Sequence, residues 1–175
     1  MVSLTLYHHP LSSFCHKGLI ALYENDIEYV DHDFVGEHPL IPNEFEQALE
    51  VRLWDRIFDN HVQGPMQAIV NDRIRGANGD LGGARSTLQT AYGMIDRQMT
   101  TRNWIAGQSF SMADCAAAPA LFYASTLEPF TGEYKHLSAY FERLTERPSY
   151  RRVLEEAKPY FSMYPFADAI PKQFR

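Results

Sequence analysis

From about position 40 onward, every apolar pattern in this 175-residue chain repeats at the helical period, and only the residues before it alternate. Ser3 to Tyr7 alternates and is β-prone. Pro10 to Ser13 is turn-like, and Phe14 to Tyr23 sets Leu19, Ile20, Leu22 and Tyr23 along one helical stripe. Ile27 to Phe34 reads as a second strand. These segments make one β-α-β unit, whose parallel strands are joined by a right-handed crossover. Two strands are not a stable sheet alone.

After Gly36 the pattern changes. Pro39 and Pro42 break regularity, and from Glu44 the residues Leu49, Leu53 and Ile57, with Trp54, Phe58 and Val62, fall in helical steps. Pro65 is expected to bend or end this helix. Gly76 to Gly83 forms a glycine-rich break before a helix carrying Leu88, Tyr92, Ile95 and Met99 on one face. Ser111 and Asp114 have the spacing of a capping box, with the helix running to about Thr126. Shorter helices come next, around Leu137 to Thr145 and Ser149 to Ala157, then a tail rich in Tyr160, Phe161, Tyr164 and Phe166.

A net charge of −6 supplies no basic field for phosphates, so nucleic acid and anionic membrane surfaces are excluded as partners. No stretch is apolar for the ~20 residues that crossing a bilayer takes. Met1 to Leu6 lacks the features of a secretion signal, and the expected location is the cytoplasm. Cys15 and Cys115 are then expected as reduced thiols. No Cys-x-x-Cys or His-x-x-x-His pair is present to converge zinc ligands, so no metal is expected.

Chemistry concentrates at one place. A strand, a proline turn and then Ser12-Ser13-Phe14-Cys15 at a helix start put a hydroxyl and a thiol beside the positive end of a helix dipole. Such a place stabilises an anion. If the anion is a bound thiolate, a hydrogen bond from Ser12 and the free backbone N–H groups lower its pKa, each unit being worth about 1.4 kcal/mol. The plainer alternative is that Ser12 only caps the helix.

The run Leu6-Tyr7-His8-His9-Pro10-Leu11-Ser12-Ser13-Phe14-Cys15-His16-Lys17 resembles the opening of the serine-type glutathione transferases. Phe110-Ser111-Met112-Ala113-Asp114 is similar to the capping box of a core helix in their second domain, and Leu40-Ile41-Pro42 to their entry into it. The resemblance implies an α/β thioredoxin-like part over 1–39, with β-α-β present and the remainder missing, followed by an all-α domain over 40–175. It implies conjugation of glutathione, as co-substrate, to small apolar electrophiles, with Ser12 activating the glutathione sulfur and Ser13, Phe14, Cys15 and His38 around it. A homodimer is the family expectation. Tyr7 is the rival to Ser12, but in the tyrosine-type enzymes the tyrosine stands where His8 is, and one step along a strand reverses the side chain.

The sequence departs from the family after its second strand. Gly36-Glu37-His38-Pro39 passes directly to Leu40-Ile41-Pro42, with neither the Val-Pro pair whose cis-proline holds the glutathione cysteinyl backbone nor the Glu-Ser pair that holds the γ-glutamyl group. Two alternatives stand beside the transferase: a non-catalytic binding or scaffold protein that keeps the helical body, and a reductase using Cys15, which the absent first cysteine of a C-x-x-C disfavours.

Overall fold

The structure is a computed structural model that describes residues 9–26, 39–130 and 132–175. The expected strands, Ser3 to Tyr7 and Ile27 to Phe34, lie outside the described residues, as do Tyr7, His8 and His38. Among the described residues the architecture is helical, with a single isolated antiparallel bridge between Trp104 and Gly107. The helix order is α1 (Ser13–Glu24), α2 (Phe45–Ile57), α3 (Gly64–Arg75), α4 (Gly82–Gln98), α5 (Met112–Leu127), α6 (Lys135–Glu146) and α7 (Pro148–Ala157). The tail is built of 3₁₀ turns at Lys158–Met163, Ala167–Ala169 and Lys172–Phe174.

The axis of the molecule is α5. Its run of alanines, with Leu121, Phe122 and Tyr123, is apolar on every side, and a helix of that kind is stable only when surrounded. It packs against α1, α2, α3 and α6, and Ala113, Cys115, Ala117, Leu121 and Ala124 have no exposed surface. The start of α5 is anchored by Asp114. Its Oδ2 accepts from the Ser111 N–H and the Ser111 hydroxyl, both at 2.9 Å, which is the reach-back expected of the capping box. Its Oδ1 accepts from the Ile105 N–H at 3.0 Å and the Tyr140 hydroxyl at 2.6 Å, tying the preceding loop and α6 to the same carboxyl.

The chain does not stop at Pro65. It stays helical from Phe45 to Arg75, passing through a π-helical stretch at Phe58–Gln63 immediately before the proline. There the Gly64 N–H reaches the Asp59 carbonyl, five residues back, so the wider turn takes up the register change next to a residue that has no N–H to donate. The two expected apolar stripes fare differently: of Leu49, Leu53 and Ile57 only Ile57 packs against the core. Trp54, Phe58 and Val62 are buried, whereas Phe45, Leu49 and Leu53 are 71%, 52% and 57% exposed. The α3 helix stops at Gly76, whose φ of 62° is the left-handed C-terminal geometry that glycine adopts without strain. The α4 face of Leu88, Tyr92, Ile95 and Met99 is buried, as the periodicity predicts.

The first helix is held to this body by charge as well as packing. Lys17 Nζ lies 2.5 Å from Asp55 and 3.1 Å from Asp59, and Glu24 accepts from Arg147 and Ser149. Tyr23 donates to Glu156 at 2.8 Å. With Leu19 and Ile20 buried in the common core, α1 is set at a fixed place against α5 and α7.

Candidate functional site

Ser12 is the N-cap of α1. Its backbone is extended, with φ −80° and ψ 115°, and its Oγ accepts the Cys15 N–H at 3.4 Å. The turn before it is closed by the Ser12 N–H to the His9 carbonyl at 3.0 Å and the Leu11 N–H to His9 Nδ1 at 3.2 Å. Buried His16 secures the other side, its Nε2 lying 2.6 Å from the Pro10 carbonyl; a carbonyl only accepts, so Nε2 carries the proton. The hydroxyl of Ser12 thus spends a lone pair on the cap, and its O–H remains available to donate.

No acidic side chain occupies the first turn of α1, so nothing in that turn offsets the positive end of the helix. Ser13 and Phe14 are at the helix start, where N–H groups have no carbonyl one turn earlier to bond. An anion seated beside Ser12 meets these donors together.

A cleft of about 270 Å³ opens at this point. Leu11, Ser12 and Ser13 line it, together with the apolar side chains Met66, Val70 and Ile74 of α3. Tyr123 of α5 lines it, and Met163, Tyr164 and Pro165 of the tail border it. The structure therefore brings Ser12 and Ser13 to the cleft. Phe14, which is largely exposed, and Cys15 are not among the residues that line it, although the Cys15 N–H orients Ser12. His38 lies outside the described residues.

Tyr123 is a site residue that sequence reasoning missed. It sits in an all-apolar helix, where an aromatic residue reads as core, and it is 2% exposed. Burial pushes its phenol above the ordinary range, and its hydroxyl has no hydrogen-bond partner. The neighbouring Tyr164 hydroxyl is engaged with Thr126 at 2.9 Å. Cys115 is buried in the core, away from the cleft, and burial pushes its thiol up. Among the described residues no His, Cys, Asp or Glu side chains gather in threes to hold a metal ion, no peptide bond is cis, and no helix is long and apolar enough to cross a membrane.

Residues 80–148 match the family model described as glutathione S-transferase, C-terminal domain. The chain is 30% identical over 136 residues to FtsZ-localized protein A of Caulobacter vibrioides, a match covering 70% of this chain and 58% of that protein. The chain thus spans little more than half the length of that relative. In fold it resembles FzlA from C. crescentus, with a TM-score of 0.73 and 21% identity, covering 88% of this chain and 92% of that one. It also resembles a glutathione S-transferase of Methylobacillus flagellatus KT solved with glutathione bound, with a TM-score of 0.69 and 16% identity, covering 83% and 96%. Residues 80–148, from the loop before α4 to the start of α7, thus carry the glutathione S-transferase C-terminal domain, and the chain shares its fold with these structures.

Proposed function

We propose that the chain is a serine-type glutathione transferase, working in the cytoplasm as a homodimer, with residues 1–39 as a shortened thioredoxin-like part and 40–175 as the helical domain. The observation that carries this reading is the cleft itself, which Ser12 and the start of α1 line together with apolar residues of α3. Glutathione lies with its sulfur at Ser12, near the N–H groups of Ser13 and Phe14, with Cys15 orienting Ser12 and His38 at the glycine end. The thiol proton passes to solvent, and the Ser12 O–H and the helix dipole hold the sulfur as thiolate. The sulfur then bonds to the electrophilic carbon of a small apolar molecule against Met66, Val70 and Ile74, and the leaving group departs with the electron pair of the broken bond. A glutathione-bound structure among the fold's neighbours adds to the case.

The test is conjugation of glutathione to a chloronitroarene, with glutathione binding followed by calorimetry. Ser12→Ala is expected to lower kcat/KM about a hundredfold, the usual cost of losing one donor to developing charge. Unchanged conjugation in that variant sinks the role given to Ser12.

A second reading, a non-catalytic binding or scaffold protein, is favoured by the uncovered row of Phe45, Leu49 and Leu53 on α2. The similarity to a protein named for localising with FtsZ points the same way. Calorimetry decides between the two: a protein that takes up no glutathione supports the second.

A further inference from the structure

The loop between α3 and α4 carries a reactive pair of residues away from the cleft. Of the chain's asparagines only Asn78 is followed by glycine, and residues 73–80 around the pair are exposed. Asn78 stands at φ 52°, in the left-handed region that asparagine tolerates better than most residues, and its Nδ2 donates to the Gly76 carbonyl at 3.2 Å. Gly79 has no side chain to shield its backbone nitrogen, and a Cβ there would lie 3.1 Å from Asp72 Oδ1. The Gly79 N–H donates to that same oxygen at 2.8 Å, so the loop closes over a carboxylate from the end of α3.

The backbone nitrogen that follows an asparagine can reach the side-chain carbonyl carbon and close a five-membered ring, and glycine opposes the closure least. We propose that Asn78 is a site of spontaneous modification, converted to aspartate and isoaspartate through a cyclic imide with Gly79, and that Asp72 sets the rate by holding the Gly79 N–H. The Gly79 nitrogen gives its proton to solvent hydroxide and bonds to Cγ of Asn78. The Cγ–Nδ2 bond breaks, and the amide leaves as ammonia with a proton from water. Water then opens the imide: attack at Cγ gives aspartate, and attack at the main-chain carbonyl carbon gives isoaspartate, whose backbone runs through the former side chain. The sum is asparagine and water to a carboxylic acid and ammonia, with no oxidant or reductant. Asp72 slows the first step in two ways. Its hydrogen bond turns the Gly79 N–H toward α3, and its negative charge disfavours the nitrogen anion that must form.

The product bears on the cleft. A carboxylate at position 78 only accepts, so it loses the bond to the Gly76 carbonyl, and it stands just past the C-terminal end of α3, where the helix dipole disfavours negative charge. That helix carries Met66, Val70 and Ile74.

The test is a long incubation of the full chain at neutral pH, folded and in urea. Aspartate and isoaspartate at position 78 are quantified in proteolytic peptides by mass and by isoaspartyl methyltransferase labelling. The folded wild type is expected to convert about tenfold or more slowly than the chain in urea. Asp72→Ala is expected to regain most of that factor while melting close to the wild type, and Gly79→Ala combined with it to slow conversion again. Asp72→Asn keeps an acceptor in place without the charge. Acceleration in both variants, or in Asp72→Ala alone, upholds the brake and divides it between charge and hydrogen bond. If Asp72→Ala melts far below the wild type, Asp72→Asn decides alone, and an unchanged rate there overturns the proposal. Conversion as fast in the folded wild type as in urea, equal rates in wild type and Asp72→Ala, or no conversion in any of them also overturns it.

Discussion

The Tyr140 hydroxyl donates to Asp114 Oδ1 at 2.6 Å with both side chains at 0% exposure, so α6 is keyed to the first turn of α5 through one carboxyl oxygen. The same carboxyl takes the N–H groups of Ile105 and Ser111. Asp114→Ala strands all four donors in the interior, the Ser111 hydroxyl included, at ~1–3 kcal/mol for each group left unpaired. The expected loss in urea denaturation at pH 7 is about 3 kcal/mol or more. A loss under about 1 kcal/mol would show that water reaches these donors.

Asp114 also makes a prediction about pH. Burial raises its pKa above the ordinary 3.8, against the four hydrogen bonds that lower it. A carboxyl with a raised folded pKa binds more protons folded than unfolded in the interval above 3.8, so its stabilising contribution is whole in acid and falls as pH rises through that interval. The stability difference between wild type and Asp114→Ala is expected to be larger at pH 3 than at pH 7 in parallel denaturation curves. A difference that grows with pH would mean that the hydrogen bonds outweigh burial.

On the transferase reading Ser12 has two separable jobs, because its Oγ caps α1 and the residue lines the cleft. Asparagine caps as well as serine does, but has no hydroxyl to donate to a sulfur. Ser12→Ala is expected to lose both stability, by about 1 kcal/mol, and conjugation, whereas Ser12→Asn restores the melting temperature and leaves conjugation low. Recovery of conjugation in Ser12→Asn would assign the effect of the alanine variant to the cap.

Much of the helical body is legible in the sequence, for local reasons. The α4 face follows from the spacing of Leu88, Tyr92, Ile95 and Met99, and the anchoring of α5 from Ser111 and Asp114 three residues apart. Ser12 at a helix start is a local signal too. The hidden features depend on contacts distant in sequence. Lys17 meets Asp55 and Asp59 only because the fold brings α1 beside the end of α2 and the π-helical stretch after it, and Tyr123 becomes a cleft residue only because the turn before α1, α3 and the tail come together around it. The passage through Pro65 is illegible for another reason: a proline reads as a bend or a stop, and no residue type marks a π turn in advance.

The exposed row on α2 carries the last prediction. Phe45, Leu49 and Leu53 are one helical turn apart, so they lie along one edge. Two copies of α2 crossing antiparallel about Leu49 set Phe45 against Leu53 of the second copy and exposed Glu46 against its Arg52, so the edge is self-complementary in both apolar surface and charge, as a two-fold contact requires. The wild type is expected to sediment as a dimer and Leu49→Glu as a monomer, since that change sets two carboxylates at the symmetry axis. Arg52→Glu is expected to weaken the dimer, and Glu46→Arg combined with it to restore the pairing by exchanging the charges. A double variant no more associated than Arg52→Glu alone would place the contact elsewhere, and a monomeric wild type would leave this edge to a partner of another kind, as the scaffold reading requires.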